Sequence, residues 1–398
     1  MYKIHPDFRP YVQPSPEALD AVLESKVLNL DGLDSPMIIK SIELLFNGGS
    51  HIVRTTTKDG LVGIAPANSH LTYAWPLLQI QIAPFFIGKD ARDIEDLIEG
   101  VYVIKLNYKI AGVAYYSCLS ALELSILDLL AKAKGVRLGE LFGPRIRDKV
   151  NIYVASGNRG NTPEEELAIL QERVEKSGAK AIKFKIGGRM SKNADSLEGR
   201  SEELIYLTRK TFGDNFIIHA DGNGSYDDVE GIRYGKILEE INAYFYEEPC
   251  PFDNLINTKK VADAMTIPLA FGEQETSLNR FRWLILNHGC DVVQPDILYF
   301  GGLIRTTKVA RMADLAGMTI TPHVSGGFCF VYILHLSSYT PNIGHYQESK
   351  KSIEMTNAFL DGQIELKDGV LNIPDSIGLG IRENNPIITG AYRIFEVR

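Results

Sequence analysis

The hydrophobic positions of the chain follow two different spacings. From Pro36 the segments IIKSIELLF and HIVRTTT read as strands around the turn NGGS, which predicts a small antiparallel sheet. Between about residues 89 and 141 the apolar residues recur every three or four positions, which predicts helices. NSHLTYAWP lies between these parts and is predicted to be a loop. The pattern favours an α+β domain over residues 36–145, preceded by an irregular arm over residues 1–35.

After residue 145, short apolar runs alternate with amphipathic helical segments. The eight runs are NIYVAS, AIKFKI, FIIHAD, AYFYEEP, PLAFGEQ, DVVQPDI, MTITPHV and GHYQES. Eight strands alternating with helices predict a (β/α)8 TIM-type barrel over residues 146–350. The turn-rich segment 351–398 is predicted to pack back on the first domain. The predicted fold class is therefore α/β, a modified barrel with an N-terminal α+β capping domain that the C-terminal tail completes.

Composition and charge narrow the classes of function. The 398 residues are enough for a barrel and a smaller domain, and 45% of them are hydrophobic. The net charge of −8, without any basic run, argues against a nucleic-acid partner. No apolar stretch approaches the roughly 20 residues of a membrane span, and the polar N-terminus does not resemble a secretory signal. Four scattered cysteines without a CxxC pair favour reduced thiols, so we expect a cytoplasmic protein. We expect no membrane partner, and the ionisable residues at the predicted strand ends point to a small-molecule partner.

Ionisable residues end nearly every predicted barrel strand after the first. In chain order they are Lys183 and Lys185, Asp221 with Asn223, Glu247, Glu273, Asp296, His323 and Glu348. The steps from Asp221 to Glu247 and from Glu247 to Glu273 are each 26 residues, about one strand–helix unit. Because barrel active sites lie at the carboxyl ends of the strands, these side chains are predicted to share one mouth at one height.

Three neighbouring carboxylates at that height would repel one another. For Asp221, Glu247 and Glu273, each pair at ~4 Å and an effective dielectric constant of 20 costs about 4 kcal/mol. A hard divalent cation relieves this repulsion, and three carboxylates that leave open positions suit Mg2+ better than Ca2+. The sequence therefore predicts a magnesium site that presents free positions to a substrate.

Two lysines and a histidine supply the predicted acid–base groups. Lys183 and Lys185 are two residues apart on a strand, so both point inward. Two ammonium groups near a cation are expected to lower each other's pKa, which would allow a lysine to act as a base. Asp296 and His323 end adjacent strands, where a carboxylate fixes the tautomer of an imidazole.

Three other ionisable residues near the strand ends are not assigned to the site. His219 points inward one layer below Asp221 and is predicted to be a packed, hydrogen-bonded core histidine. Glu248 is expected to face the helices. Glu275 lies past the strand end, where it could reach the site, but the default expectation is a solvated loop acid.

Seven short motifs in a fixed order resemble the enolase superfamily, and specifically its mandelate racemase subgroup. They are KFK (183–185), DGN (221–223), YEEP (246–249), GEQ (272–274), QPD (294–296), TPH (321–323) and YQE (346–348). With the helical text SALELSILDLLAKAKGVRLGELFG, the resemblance covers almost the whole chain. The muconate-lactonizing subgroup would carry a lysine at the end of the sixth strand, where this chain has DVVQPDILYF.

The resemblance implies a role for each group. The three carboxylates would bind Mg2+, and Lys183 would hold the substrate carboxylate with the metal. Lys185 would be a base on one face of the α-carbon, and His323, oriented by Asp296, the acid or base on the other. Which of the two takes the proton stays open. The superfamily uses such a base with magnesium to stabilise an ene-diolate.

Substrate contacts are predicted from both domains. The resemblance implies that Glu348 hydrogen-bonds the substrate carboxylate and that Asn223 lines the site. Specificity is expected from capping-domain loops over the mouth, with His70, Tyr73 and Trp75 as candidates in NSHLTYAWP. Packing at the domain junction is an equal alternative for each of these three.

The expected reaction is dehydration of an aldonate or aldarate to a 2-keto-3-deoxy acid. A racemase, epimerase or cycloisomerase of a hydroxy acid, sugar lactone or anhydro-sugar acid is the alternative, and a non-catalytic metal-binding barrel is a remote one. The resemblance also implies a homo-oligomer. Two departures from the family are the long lead over residues 1–35, expected to reach over the site or into a neighbouring subunit, and the glycine- and charge-rich stretch 187–200.

Overall fold

The computed structural model describes residues 5–326, 328–349, 353–360 and 363–398. The predicted boundary at 350/351 and the first four residues of the arm lie outside these ranges. The helices are α1 (Pro16–Glu24), α2 (Leu71–Leu77), α3 (Ala83–Phe86), α4 (Ile94–Val103), α5 (Val113–Lys134), α6 (Pro163–Ser177), α7 (Arg200–Phe212), α8 (Asp228–Glu240), α9 (Leu255–Ala264), α10 (Leu278–Leu286), α11 (Leu303–Leu315), α12 (Cys329–Tyr339), α13 (Ile353–Leu360) and α14 (Pro386–Thr389). The strands are β1 (Ile39–Asn47), β2 (Ser50–Thr57), β3 (Val62–Pro66), β4 (Lys149–Ala155), β5 (Ala181–Lys185), β6 (Ile217–Asp221), β7 (Phe245–Glu247), β8 (Leu269–Phe271), β9 (Val292–Val293), β10 (Thr319–Ile320), β11 (Tyr346–Ser349), β12 (Leu366–Lys367), β13 (Val370–Asn372) and β14 (Tyr392–Val397).

The N-terminal sheet has four antiparallel strands in the order β14-β1-β2-β3. The predicted meander supplies three of them, and β14 pairs with β1 from Ile42↔Val397 to Phe46↔Tyr392. The C-terminal tail therefore completes this domain, as predicted. The tail also contacts the barrel, because β13 pairs antiparallel with β4.

Helix α5 forms the core between this sheet and the barrel. The expectation that no apolar stretch approaches the length of a membrane span is wrong for this helix, which could cross a membrane by length and composition alone. Its apolar window is, however, 89% buried inside the fold, as in a core helix. Its buried acids bind backbone N–H groups of neighbouring elements. Asp128 accepts hydrogen bonds from Ile64 (2.8 Å) and Leu379 (2.7 Å), and Glu123 accepts one from Ile304 at the start of α11 (2.8 Å). These bonds join the sheet, the tail and the barrel.

All eight predicted barrel strands form, as β4 to β11. Neighbours from β4 to β10 are parallel and hydrogen-bonded in chain order, and β11 pairs with β4. Between β10 and β11 the ring is linked by the isolated parallel bridge Ile320↔Ile343. Within the described residues, one helix follows each strand, from α6 after β4 to α13 after β11. The strands therefore deliver their C-terminal residues to one mouth.

The N-terminal arm begins at the opposite end of the barrel and then runs along α10 and α11 to the capping domain. It contains α1, which was not predicted. Ahead of α1, the Phe8 ring packs 4.8 Å from that of Tyr244, just before β7. Tyr11 donates its hydroxyl to the Ile285 carbonyl (3.0 Å) at the end of α10. The prediction that the arm reaches over the site is wrong for the described residues, because their contacts are with the N-terminal ends of the strands, with α10 and α11, and with α4 of the capping domain.

Candidate active site

Three carboxylates meet at the mouth of the barrel. Asp221 ends β6, Glu247 ends β7, and Glu273 follows the end of β8 by two residues. Parallel pairing places Asp221 directly opposite Glu247. One oxygen from each of the three lies within 4.8 Å of the others, and their side chains are almost completely buried. The equal sequence intervals thus correspond to equal height in the barrel.

The chemistry of this cluster fits a hard divalent cation. It offers only oxygen donors, and Oε1 of Glu247 has no hydrogen-bond partner among the described residues. Burial, followed by the charge of Asp221, raises the pKa of Glu247 to about 7. A bound cation would offset both effects, since it compensates buried negative charge.

Both lysines of β5 point into the cluster. Lys183 Nζ lies 2.5 Å from Glu247 Oε2 and 3.0 Å from Glu348 Oε1, and Lys185 Nζ contacts Asp221 Oδ2. Burial would lower the pKa of Lys183, but Glu247 and Glu348 outweigh it and hold that pKa well above its usual value. The predicted lowering by the second lysine is therefore wrong for Lys183, because carboxylates surround its ammonium group.

The imidazole lies on the opposite edge of the cluster from Lys185. His323 Nδ1 is 2.8 Å from Asp296 Oδ2, and His323 Nε2 is 3.2 Å from Glu273 Oε2. Asp296 is itself held in place, because its Oδ1 accepts the backbone N–H of Leu298 (2.8 Å) and the hydroxyl of Ser325 (3.1 Å). The carboxylate thus orients the ring so that Nε2 faces the three acids.

Two further predicted residues complete the mouth. Glu348 is the penultimate residue of β11, and its Oε2 accepts the backbone N–H of Val324 (3.1 Å). Asn223 has a left-handed backbone (φ 41°), and its Nδ2 lies 3.4 Å from Glu273 Oε1. Every strand-end residue predicted from the sequence therefore lies at this mouth.

The capping domain brings His70 towards the site. The segment NSHLTYAWP was predicted to be a loop, but its residues from Leu71 onward are helical and form most of α2. His70 precedes the first residue of this helix, and its ring stacks on Tyr299 at 4.9 Å. Tyr299 lies 6.2 Å from the His323 ring. The Tyr299 ring therefore lies between His70 and His323, the candidate catalytic histidine.

The two other capping-domain candidates are less close to the carboxylates. Tyr73 is 66% exposed, and its ring is 5.5 Å from that of His70. Trp75 stacks on Phe395 of β14 at 6.1 Å, inside the capping domain. The packing alternative holds for Trp75, because the helical turn rotates its side chain away from the direction of His70.

Glu248 belongs to the mouth, contrary to the prediction that it faces the helices. Strand β7 ends at Glu247, and Glu248 adopts a left-handed φ of 41°. Its side chain is 3% exposed and lines a cavity of about 170 Å3 together with Asn223 and Glu273. Its Oε1 has no hydrogen-bond partner among the described residues. Strand alternation fails here because the backbone leaves the strand between the two glutamates.

Glu275 and His219 are both buried. Glu275 accepts the backbone N–H of Ser277 (2.8 Å) and pairs with Arg280 (2.9 Å), so the prediction of a solvated acid is wrong. The His219 ring packs 4.6 Å from Tyr153 and 4.1 Å from Phe245, as expected for a core histidine.

Comparison with known proteins agrees with this geometry. Residues 48–143 match the family model for the mandelate racemase/muconate lactonizing enzyme N-terminal domain, and residues 165–386 match the enolase C-terminal domain-like model. The L-talarate/galactarate dehydratase of Salmonella typhimurium is 30% identical over 75% of this chain and 71% of its own length. The arabinonate dehydratase of Saccharolobus solfataricus is 27% identical over 81% of this chain and 85% of its own.

A solved structure shows the same fold. The mandelate racemase/muconate lactonizing protein from Paracoccus denitrificans, crystallised with magnesium, superposes with a TM-score of 0.81 at 25% identity, over 90% of this chain and 99% of that chain. The chain therefore belongs to the mandelate racemase/muconate lactonizing enzyme family of the enolase superfamily.

Proposed function

We propose that this protein is a Mg2+-dependent sugar-acid dehydratase that converts an aldonate or aldarate into a 2-keto-3-deoxy acid. The observation that carries the proposal is the placement of Lys185 and His323 on opposite edges of three buried carboxylates. The names of the relatives support the choice of substrate, since they are dehydratases of talarate or galactarate and of arabinonate.

The metal would be held by the carboxylate cluster. Members of the enolase superfamily use Mg2+, and the donor set of Asp221, Glu247 and Glu273 suits that ion. When bound, Mg2+ supplies positive charge that stabilises the negative charge developing on the substrate carboxylate as the α-proton leaves.

Lys183 and Glu348 would position the substrate carboxylate. They contact each other at 3.0 Å beside the cluster, so a carboxylate there meets one ammonium donor and one acid group. Lys183 remains charged at neutral pH because Glu247 and Glu348 raise its pKa well above its usual value. This residue therefore binds negative charge and does not serve as the base.

Lys185 and His323 would perform the proton transfers. One of them removes the proton from C2, and the electron pair of the C2–H bond moves onto the substrate carboxylate as an ene-diolate. That pair then forms the C2=C3 double bond as the C3 hydroxyl leaves, and the hydroxyl takes up a proton and departs as water. The resulting enol becomes the 2-keto-3-deoxy acid when C3 takes up a proton and the C2 hydroxyl loses one.

The same geometry favours a racemase or epimerase as the second candidate. Two proton-transfer groups on opposite edges of the cluster can remove the C2 proton from one face and return one to the other. A cycloisomerase would share the first step. These reactions retain every atom of the substrate, whereas dehydration releases water and forms a 2-keto acid.

A panel of aldonates and aldarates with Mg2+ tests the proposal. We expect 2-keto acid, detected as its semicarbazone, from at least one acid, and loss of that product in Lys185→Ala and His323→Asn. Lys176→Ala, at an exposed position on α6, is the matched control. Exchange of the C2 proton in D2O without 2-keto acid would assign a racemase or epimerase. If no acid yields 2-keto acid and none exchanges that proton, the enzyme proposal fails.

Metal binding is tested separately by calorimetry with Mg2+. Glu247→Gln should weaken binding at least tenfold, since altering even a residue behind a metal ligand costs about that much. Glu202→Gln, on the outer surface of α7, is the control and should bind Mg2+ like the parent protein. Unchanged affinity in Glu247→Gln would place the ion elsewhere.

A further inference from the structure

The connection between β5 and α7 holds a run of residues in an unfavourable backbone conformation. Arg189, Met190, Lys192 and Asn193 all have left-handed φ values, between 51° and 72°. Such residues persist where surrounding contacts fix them, and they cluster at functional sites. Here Met190 donates its backbone N–H to the Asn223 carbonyl (3.1 Å), which ties the loop to the mouth. The strained loop places Arg189 beside the carboxylate cluster.

A second arginine meets Arg189 at the same atom. Arg159, from the connection between β4 and α6, donates from Nη2 to Asn223 Oδ1 (2.8 Å), and Arg189 Nη2 donates to that oxygen as well (3.0 Å). Arg159 Nε also donates to the Gly187 carbonyl (2.9 Å). Within the described ranges, neither guanidinium forms an ion pair with a carboxylate. Two cations thus share one neutral acceptor, and the Asp221 carboxylate acts on Arg159 through its charge without a hydrogen bond among the described residues.

A cavity joins Arg189 to one of the proposed metal ligands. Arg189, Asn223, Glu248 and Glu273 all line this cavity of about 170 Å3, and Arg159 reaches its lining through the hydrogen bond to Asn223. A molecule bound at the cluster beside Glu273 can therefore extend into this cavity towards Arg189. The unpartnered Oε1 of Glu248, in the same cavity, offers an acceptor for a sugar hydroxyl.

We propose that Arg159 and Arg189 bind a second anionic group at the far end of the substrate, so that the acid is a dianion such as an aldarate. This inference rests on the proposed dehydratase function and narrows its substrate class. A guanidinium binds a carboxylate through two parallel hydrogen bonds and keeps its charge at all relevant pH values. A terminal phosphate ester offers the same chemistry, so it forms a separate arm of the test.

Matched pairs of acids test the proposal. Each aldarate, such as glucarate, galactarate or mannarate, is compared with the aldonate of the same configuration and with the 6-phosphate of that aldonate. For each acid, kcat/KM is measured from 2-keto acid formation. We expect the dianions to be preferred. Arg189→Gln should lower kcat/KM for the preferred dianion about ten- to hundredfold, the effect of one hydrogen bond to a charged group, and change it for the aldonate by less than about threefold.

Arg159→Gln should act in the same direction, and Arg233→Gln is the control, since that guanidinium pairs with Glu230 and Glu202 on the outer surface. If the parent protein prefers the 6-phosphate over the aldarate and Arg159→Gln and Arg189→Gln lose that preference, the anion site is supported and is assigned to phosphate. Equal losses for dianion and aldonate, or a preference of the parent protein for aldonates, would overturn the inference and leave the dehydratase proposal intact.

Failure of the dehydratase proposal has a different signature, namely no 2-keto acid from any acid. In that event calorimetric titration with each aldarate and its aldonate, in the parent protein and in Arg189→Gln, measures the second anion site without turnover. If Arg189→Gln binds the aldarate more weakly than the parent protein does, the result supports the second anion site. Equal binding of both acids by both proteins contradicts it.

Discussion

The buried carboxylate of Glu123 joins the capping domain to the barrel, and its replacement by glutamine tests how the two are held together. Glu123 lies in α5 and accepts the backbone N–H groups of Leu303 (3.1 Å) and Ile304 (2.8 Å), the first residues of α11. Burial has the largest effect and raises its pKa from 4.5 to about 8, although the two N–H groups oppose that shift. Glutamine keeps the shape and one of the two acceptor oxygens but cannot ionise, so it loses one of these two hydrogen bonds at every pH.

The raised pKa makes stability depend on pH. Between pH 4.5 and 8 the folded protein keeps a proton on Glu123 that the unfolded chain releases. The free energy of unfolding therefore falls by roughly 1.4 kcal/mol per pH unit across this interval, or about 5 kcal/mol in all. The stabilisation is complete below pH 4.5 and is lost as the pH rises to 8.

Urea unfolding at intervals from pH 5 to pH 9 measures this effect. The free energy of unfolding of Glu123→Gln, relative to the parent protein, should rise by several kcal/mol over that range. Glu164→Gln, at an exposed position of α6, should show no such trend. A difference between Glu123→Gln and the parent that stays constant with pH would refute the reasoning. It would show that the start of α11 stabilises an ionised carboxylate.

Two further substitutions separate the site from its support. Asp296→Asn should lower kcat for dehydration at least tenfold with little change in KM, because an amide holds the His323 ring less firmly than the carboxylate 2.8 Å from Nδ1. Steady-state kinetics and exchange of the C2 proton measure this effect. An unchanged kcat would contradict the role of Asp296. Phe8→Ala should lower the free energy of unfolding by about 1–2 kcal/mol through lost packing on Tyr244, and leave kcat and KM unchanged. A raised KM in Phe8→Ala would indicate that the arm influences the mouth after all.

The eight barrel strands and the residues at their ends were predictable from the sequence. On a parallel strand the side-chain direction alternates with period two, and strand–helix units of similar length bring strand ends to one height. These are local properties, so the sequence alone could place Asp221, Glu247 and Glu273 together. The resemblance supplied their roles, which stay predictions, as do the domain boundaries, the oligomeric state and the cytoplasmic location.

Tertiary structure alone decided where the loops and the arm place their side chains. Glu248 turns into the mouth because a left-handed residue follows the strand, and Arg159 and Arg189 meet because Asn223 binds both. The arm packs on the barrel's far end through contacts such as Phe8 with Tyr244. Such positions depend on contacts between residues distant in sequence, whereas strand periodicity depends only on the backbone of neighbouring residues. The sequence alone therefore determined the barrel and its ring of charged strand ends, and the folded chain determined what surrounds that ring.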